Sequence, residues 1–438
     1  MKIFFPKVKY YKINDNFKLI YVNTKSNIFY SAININIGSI NEENGESGLA
    51  HFFEHMIFKG TKNKTSDEIL NTLDTLGTHY NASTSFDETK YYISGNVQDY
   101  KIILEILLDL FLNPAFPEKD INNEINVVLE EFRMNKDNKN RQTMIKLMEL
   151  LYKDTDHKYS IPVIGLPANI INFTRNNLIN FFNNKYNKAE KVLSIIGSVE
   201  EEKIIDIVEN IFKLKIKEWK PEFTTLNPKL IIPFYNKTNR YQIELIKNPD
   251  INQFIVYIGF RSINMYSKWS LVSDILENIL TSGNTSRLFV LLRNKLGLTY
   301  YQSSFNKTFT SHGFFCVNYG VQPDGLEKSL KHVLKELFDF KNFEISDNEL
   351  IKAKNMVETS LLFSTETASD IGSYIIDSVI NKIDPLYIKK INNKIKKITK
   401  EYVQQLASKF FKKSNMFIII NGNETISLDN INKIIDDL

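Results

Sequence analysis

Cysteine is almost absent from this sequence, which has only Cys316 in 438 residues. A single cysteine excludes an internal disulfide and favours a reducing compartment, and its place in an apolar, strand-like segment predicts a core residue. The chain also lacks any run of 18 apolar residues, an apolar secretory segment near its start and an arginine-rich transit segment. We therefore expect a cytoplasmic protein without a membrane partner.

An excess of charge of one sign is missing as well. The chain has 55 basic and 51 acidic residues, which gives a net charge of +4. So small an excess argues against nucleic acid or an anionic membrane surface as the partner. The hydrophobic fraction of 43% and the charged fraction of 24% are ordinary for a globular protein, and the length allows two or more cores.

Histidine is scarce too, with six residues, yet two of them lie close together in residues 51–55, which read His-Phe-Phe-Glu-His. Four residues along an α-helix turn by about 400°, so His51 and His55 project from nearly the same side, with Glu54 beside them. One divalent cation can contact both rings in that arrangement. The alternative is a pair of hydrogen-bonded core histidines that bind no metal.

The residues around this motif favour a helix. Ser47 is expected as its N-cap and Gly60 as its C-terminal stop. The side opposite the histidines is apolar, as a core-packing face should be, and consists of Leu49, Phe53, Met56 and Ile57. The order His-x-x-Glu-His is the inverted form of the zinc peptidase motif His-Glu-x-x-His, which favours the metal-binding interpretation.

A catalytic zinc site usually has three protein ligands and one open position. Residues 122–134 predict a second helix, on which Glu124 and Glu131 are seven residues apart and therefore share one face. The apolar residues expected to pack its remaining surface are Val127, Val128 and Met134. A carboxylate from this helix can complete the site.

Together these motifs closely resemble the pitrilysin family of inverted-motif zinc peptidases. The sequence is most similar to the half-length branch that includes the mitochondrial processing peptidases and their bacterial relatives, which residues 58–61 and 81–89 also resemble. The resemblance implies one Zn²⁺ per chain, held by His51, His55 and Glu131. It further implies that Glu54 is the general base and that Glu124 supports the site without binding the metal.

A duplicated pattern runs along the chain. Strand-like segments that end at Gly38 and Gly259, 221 residues apart, each precede a helix. Those that end at Gly197 and Gly422, 225 residues apart, do the same. A repeat of this period covers essentially the whole chain and predicts two domains of similar structure.

The join is predicted where Trp219-Lys220-Pro221 interrupts a helix, which gives domains at 1–214 and 228–438 and a linker at 215–227. Strands and helices mix without strict alternation, which favours an α+β fold with antiparallel-rich sheets covered by helices. The resemblance implies the metallohydrolase fold of LuxS and the processing peptidases, in which two homologous domains face each other across a cavity.

The second half lacks the metal motif, because the matching positions, Val272 to Leu276, cannot hold zinc. It carries Arg293 and Tyr300, seven residues apart, which resemble the paired arginine and tyrosine that bind substrate in the pitrilysin family. The alternative for this pair is an exposed arginine and a packed tyrosine.

Residues 81–85 form an extended segment with small side chains, where a peptide can be bound as an added strand. The resemblance places this edge beside the zinc, which makes Asn81 and Ala82 candidate substrate contacts. An ordinary sheet edge without a ligand is the alternative.

These features predict a zinc-dependent endopeptidase for short or unfolded peptides, of the presequence-processing or peptide-degrading type. The alternative is a non-catalytic or partner subunit of a heterodimeric processing-peptidase-like complex, and a scaffold or nucleic-acid-binding protein is a distant third. Because the metal motif and the Arg/Tyr pair occur on one chain, a homodimer or a self-sufficient monomer is expected. Manganese or cobalt are alternatives to zinc at such a site.

Overall fold

The computed structural model describes residues 5–155, 157–223, 240–340, 342, 344–423 and 425–438. The strands are β1 Val8–Lys12, β2 Phe17–Asn23, β3 Ile28–Ile35, β4 His79–Thr84, β5 Thr89–Asn96, β6 Lys191–Gly197, β7 Lys217–Glu218, β8 Gln242–Lys247, β9 Phe254–Ser262, β10 Thr299–Thr308, β11 Gly313–Val321 and β12 Met416–Gly422. The helices are α1 Leu49–Ile57, α2 Ser66–Thr75, α3 Tyr100–Leu112, α4 Glu118–Asp137, α5 Lys139–Tyr152, α6 Pro167–Ile170, α7 Arg175–Phe181, α8 Glu201–Phe212, α9 Ser270–Thr281, α10 Arg287–Phe289, α11 Leu326–Asp339, α12 Asp347–Phe363, α13 Ala368–Ile380, α14 Ile388–Lys396, α15 Lys400–Phe410 and α16 Leu428–Asp436.

Each of two compact units contains one sheet. The first sheet has the strand order β4-β5-β3-β6-β2-β1-β7, and the second has the order β10-β11-β9-β12-β8. In both sheets one neighbouring pair is parallel, β2 with β6 and β8 with β12, and the other pairs are antiparallel. The first five strands of the first sheet, β4-β5-β3-β6-β2, therefore correspond in order and direction to the five strands of the second, β10-β11-β9-β12-β8. This correspondence confirms the predicted α+β fold of two similar domains.

The units differ from the linear domains predicted at 1–214 and 228–438. The first unit contains the described residues up to 134, then 161–223 and 361–390. The second contains the described residues of 135–160, of 240–360 and of 391–438. Each half of the sequence thus contributes one segment to the other unit. Within the predicted linker 215–227, Lys217 and Glu218 form β7 and pair with β1, and residues 224–227 lie outside the described part.

Each exchanged segment belongs to the unit whose sheet its helix packs on. Helix α5 follows α4 in sequence but packs on β9 and β12 of the second sheet, where Leu147 lies against Gly259. Helix α13 belongs to the second half of the sequence but packs on β3 and β6 of the first sheet. Gly372 of α13 lies directly over the Tyr30 ring, because an added Cβ would come within 2.6 Å of two ring carbons.

Cys316 lies in β11 and is fully buried, as expected of a core residue. Burial raises the pKa of its thiol well above the ordinary value, so the thiol is not in the reactive, ionised form. Among the described helices, none is long and apolar enough to cross a membrane.

Candidate metal centre

The start of the motif helix α1 is held by a carboxylate from the preceding loop. Glu42 is 7% exposed and accepts hydrogen bonds from the backbone N–H groups of Gly48, at 3.0 Å, and Ala50, at 2.8 Å. The N-cap is Gly48 rather than the predicted Ser47. Gly48 has a φ of +97° and lies against the Ile164 carbonyl, so neither the conformation nor the space suits a larger residue.

Helix α1 ends at Ile57, three residues before the predicted stop at Gly60. The predicted apolar face is confirmed, since each of its members is buried: Leu49, Phe53, Met56 and Ile57. The Phe53 ring packs closely on Tyr186, with ring centroids 4.2 Å apart. Burial of this face fixes the rotation of α1 about its axis and turns the two histidines the other way.

His51, His55 and Glu131 come together in the first unit. The Glu131 Oε2 atom lies 3.5 Å from the His51 Nε2 atom and 3.7 Å from the His55 Nε2 atom. The two imidazole rings have their centroids 4.7 Å apart. Among the described residues, these three form the one group of three or more metal-ligating side chains whose ligand atoms all lie within 4.8 Å of one another.

This geometry suits a zinc ion. Zinc bonds of about 2.0–2.2 Å in a tetrahedron place neighbouring ligand atoms about 3.4 Å apart. The two measured separations, 3.5 and 3.7 Å, are close to that spacing. Two imidazoles and one carboxylate also form a donor set typical of catalytic zinc, which leaves one coordination position for water or substrate. The residues present therefore fit the metal.

Helix α4 supplies Glu131 and also Glu124, two turns earlier. Glu124 is 5% exposed, and its Oε1 atom accepts a hydrogen bond from the His55 Nδ1 atom at 2.8 Å. The Lys59 ammonium lies 2.6 Å from its Oε2 atom. Burial acts to raise the pKa of Glu124, but the hydrogen bonds from His55 and Lys59 hold this pKa below its ordinary value. Glu124 thus contacts the Nδ1 atom of His55, whereas Glu131 lies nearer the Nε2 atom of the same ring.

The remaining surface of α4 differs from the prediction. The buried stripe consists of Ile121, Ile125 and Val128, whereas Val127 is 50% and Met134 is 65% exposed. Positions i, i+4 and i+7 lie on one side of a helix, and Val127 and Met134 lie outside that side. The expectation that Val127 and Met134 fill the core is therefore wrong, while Val128 packs as predicted.

Glu54 lies beside the candidate ligands and faces the first sheet. The Thr84 hydroxyl, at the end of β4, donates a short hydrogen bond to the Glu54 Oε2 atom. Burial raises the pKa of Glu54, while the Thr84 hydrogen bond and the charge of His55 act in the opposite direction. Thr84 is a functional candidate that the sequence reasoning did not single out, although it lies within the family-like segment 81–89.

Asn81 and Ala82 lie on β4, which is an edge strand of the first sheet, since within the described residues it pairs only with β5. Exposure alternates along the strand, with Asn81 exposed and Ala82 half-buried. The Ala82 backbone N–H donates to the Asn81 side-chain oxygen at 2.8 Å. The predicted edge is therefore present, and it lies on the strand that ends at Thr84 beside Glu54.

Arg293 and Tyr300 come together in the second unit. The guanidinium carbon of Arg293 lies 5.1 Å from the centre of the Tyr300 ring and 5.1 Å from that of Phe289. Gly297 between them has a φ of +62° and follows the end of the helical turn, as predicted. Tyr300 is 77% exposed on the edge strand β10, so the alternative of a packed tyrosine is wrong.

Comparisons with known proteins connect this geometry to a family. A family model described as "Insulinase (Peptidase family M16)" matches residues 18–162, and one described as "Peptidase M16 inactive domain" matches residues 172–357. An "Uncharacterized zinc protease" from Rickettsia felis is 30% identical over 340 residues, which are 76% of this chain and 78% of that protein. The chain belongs to peptidase family M16.

Two further matches extend over most of the chain. The mitochondrial-processing peptidase subunit beta from Bos taurus is 24% identical over 383 residues, 86% of this chain and 76% of that protein. The crystal structure of a protease from Helicobacter pylori has a TM-score of 0.83 at 23% identity and covers 95% of this chain and 99% of that one. These matches confirm the resemblance to the half-length branch and the α+β fold of the chain.

Proposed function

We propose that this M16 protein is a zinc-dependent endopeptidase that cleaves short or unfolded peptides, as in presequence processing or peptide degradation. The observation that carries the proposal is the convergence of His51, His55 and Glu131 with Glu54 beside them. The name "zinc protease" of the relative from Rickettsia felis supports the same metal and reaction class.

His51, His55 and Glu131 would hold the zinc, which when bound would supply Lewis acidity towards water and a peptide carbonyl. Glu54 accepts a proton from the attacking water at its carboxylate and returns it to the leaving amine. The Thr84 hydroxyl occupies one oxygen of Glu54, which leaves the Oε1 atom for the proton. Helix α1 thus provides two of the metal ligands and the general base, and α4 provides the third ligand, Glu131.

The substrate is proposed to pair with β4 as an added strand. The free edge of β4 at Asn81 and Ala82 offers backbone hydrogen bonds to an extended peptide, which tolerate many sequences. For this, the Asn81 side chain must release the Ala82 N–H group. Arg293 and Tyr300 are proposed as substrate-binding residues of the second unit, and the exposure of the Tyr300 ring supports this role. Peptides that cannot become extended would be poor substrates.

We further propose that the protein works as a cytoplasmic homodimer. The single cysteine supports a reducing compartment. The presence of the metal motif and the Arg/Tyr pair on one chain supports an assembly that needs no second kind of subunit. Light scattering of the purified protein tests the dimer.

The experiment compares the wild type with Glu54→Gln, Glu131→Gln and Glu130→Gln on a fluorogenic peptide library, with zinc content measured for each. Glu130 is the matched control, because it precedes Glu131 on α4 but is exposed and paired with Arg133. We expect Glu54→Gln to keep zinc and lose cleavage by more than about 1000-fold, on the scale of other essential acid–base groups. Glu131→Gln should lose zinc, and Glu130→Gln should match the wild type.

A wild type that holds zinc but cleaves no peptide would contradict the peptidase and favour the partner-subunit alternative. A wild type without metal after exposure to zinc would contradict the ligand assignment. Full cleavage by Glu54→Gln would contradict the role of Glu54 and leave the metal site intact.

A further inference from the structure

A line of polar contacts runs from the candidate metal centre to the protein surface. The His55 Nδ1 atom is 2.8 Å from the Glu124 Oε1 atom, and the Lys59 Nζ atom is 2.6 Å from the Glu124 Oε2 atom. Each carboxylate oxygen therefore has its own partner. The side chain of Glu124 is 7% exposed, whereas that of Lys59 is 34% exposed. The buried carboxylate lies between an interior histidine and a lysine at the surface.

The position of Lys59 is set by the backbone around it. Its N–H group donates to the Met56 carbonyl at 3.2 Å, immediately after the end of α1. The next residue, Gly60, accepts a hydrogen bond from the Ala115 N–H group at 3.1 Å, three residues before α4 begins. The ends of α1 and the start of α4 are thus tied together beside the Lys59–Glu124 pair. These hydrogen bonds fix the position of the Lys59 backbone, from which its side chain reaches Glu124.

A buried carboxylate with one free oxygen is costly, since an unsatisfied buried charge loses its hydration without compensation. His55 satisfies only one of the two Glu124 oxygens. If the second oxygen had no donor, Glu124 would gain by rotating towards water and away from His55. The ammonium of Lys59 removes that tendency, because it meets the second oxygen where Glu124 already contacts the ring.

We propose that Lys59 is a positioning residue of the metal centre, which holds Glu124 against His55 and thereby directs the His55 Nε2 atom towards the metal position. When Nδ1 carries the proton donated to Glu124, the lone pair of Nε2 is available as a ligand. Lys59 touches neither metal nor substrate and acts through Glu124. This inference rests on the proposed function in one respect, the binding of zinc by His55.

An ordinary surface ion pair would contribute little, because water screens exposed charges. The Lys59–Glu124 pair differs because its acidic partner is buried and contacts a candidate ligand. Lys59 also lines an open cleft of about 560 Å³ together with other lysines, Lys62, Lys64 and Lys119. These neighbours provide matched controls, since they contribute the same charge to the same surface.

The experiment measures the zinc dissociation constant of the full-length chain by competition with a chromophoric chelator, for the wild type, Lys59→Met, Lys59→Arg and Lys62→Met. Loss of a partner that orients a metal ligand typically weakens metal binding about 10- to 100-fold. Because Lys59 acts one contact further away, we expect Lys59→Met to weaken zinc binding about 3- to 10-fold. Lys59→Arg should restore most of the affinity, and Lys62→Met should equal the wild type.

A second readout is the ring nitrogen spectrum of the histidines, recorded by ¹⁵N NMR on the metal-free protein. Six histidines give few enough signals to follow individually. We expect the His55 signals to move towards a mixture of tautomers in Lys59→Met and to return in Lys59→Arg. A residue that only supported the fold would instead shift many signals and lower the melting temperature, also in Lys59→Arg.

Unchanged zinc affinity in Lys59→Met, or unchanged His55 signals, would overturn the proposal. An equal loss in Lys62→Met would also overturn it, because the effect would then reflect the charge of the cleft. Neither readout requires peptide cleavage. Weaker zinc in Lys59→Met with an inactive wild type would support the role of Lys59 and reject the peptidase, while a cleaving wild type with an unaffected Lys59→Met would do the reverse.

Discussion

The two units share one strand order but differ in what the helix after the corresponding strand presents. In the first unit, α1 follows β3 and carries His51, Glu54 and His55. In the second unit, α9 follows β9, and the matching positions hold Val272, Ile275 and Leu276, which are buried. The same backbone arrangement therefore holds a candidate metal centre in one unit and an apolar core in the other. A few side chains decide the chemistry, and the fold does not.

The comparison extends to the neighbouring edge strands. Glu277 of α9 accepts a hydrogen bond from the Asn306 N–H group of β10 at 3.2 Å, much as Glu54 of α1 contacts Thr84 of β4. Burial raises the pKa of both Asp274 and Glu277 to about 7. Both units thus keep a carboxyl group between helix and edge strand. Among the described residues, only the first unit also places two histidines and Glu131 beside this carboxyl group, where they could bind a metal.

The largest predicted effect comes from replacing the two histidines of α1 by the residues at the matching positions of α9. The double variant His51→Val and His55→Leu reproduces the identities at Val272 and Leu276. We expect zinc affinity to fall by more than about 1000-fold, because loss of outer partners alone costs about 10- to 100-fold. Peptide cleavage should disappear with the metal. Metal analysis and chelator competition measure the effect.

The control is His79→Leu, which removes an exposed histidine from β4. Its zinc content and circular dichroism spectrum should equal those of the wild type. Wild-type zinc affinity in the double variant would mean that the metal is held elsewhere and that the two helices do not differ in the proposed way.

The second unit differs from the first also in having a fully buried histidine, His312. His312 is 1% exposed, and its ring lies among Tyr152, Tyr159 and Phe309 at centroid distances of 4.6, 4.3 and 4.9 Å. Burial lowers the pKa of His312 to about 3, and the charge of Arg261 acts in the same direction. Below pH 6.5 the unfolded chain binds a proton that the folded unit does not, so stability falls on acidification.

We expect His312 to cost the second unit about 2 kcal/mol of unfolding free energy at pH 5 relative to pH 8. Urea denaturation at both pH values measures this loss. In His312→Leu the corresponding part of the pH dependence should vanish, whereas His332→Gln, at an exposed histidine on α11, should retain it. An identical pH dependence in wild type and His312→Leu would show that His312 is protonated in the folded unit.

The last predicted effect concerns the contact between α1 and the edge strand β4. Thr84→Val keeps the shape of the side chain but removes the hydroxyl that donates to Glu54. A hydrogen bond to a charged group contributes about 1.5–3 kcal/mol, so kcat should fall by at most about 10- to 150-fold while zinc content stays unchanged. Steady-state cleavage assays with one peptide that the wild type cleaves measure kcat for both proteins. Ser83→Ala, at the neighbouring exposed position, is the control, and an unchanged kcat in Thr84→Val would remove Thr84 from the site.

The candidate ligands could be predicted because their information is local. His51, Glu54 and His55 lie within two turns of one helix, and Glu131 lies on one face of a second helix with Glu124. Helical periodicity alone places each set on one side. The duplicated pattern likewise predicted two similar α+β units, because strand alternation repeats at a constant spacing.

Contacts between distant segments could not be predicted in the same way. The Lys59–Glu124 and Thr84–Glu54 pairs depend on which loops and strands pack beside the helices. Val127 and Met134 were misplaced because the pattern of α4 permits two apolar sides, and only packing selects one. The compact units differ from the predicted linear domains for a similar reason. Nothing local in α5 or α13 indicates which sheet their apolar faces cover.

The placement of α13 also has a consequence during synthesis. The ribosome completes the strands of the first sheet by residue 218, but the helix that covers β3 and β6 follows only at 368–380. At about 5–20 residues per second, that interval lasts on the order of ten seconds. Throughout it, the sheet face around Tyr30 lacks the helix that later packs on it. The first unit is thus begun early in synthesis and completed only after most of the second half of the chain has been made.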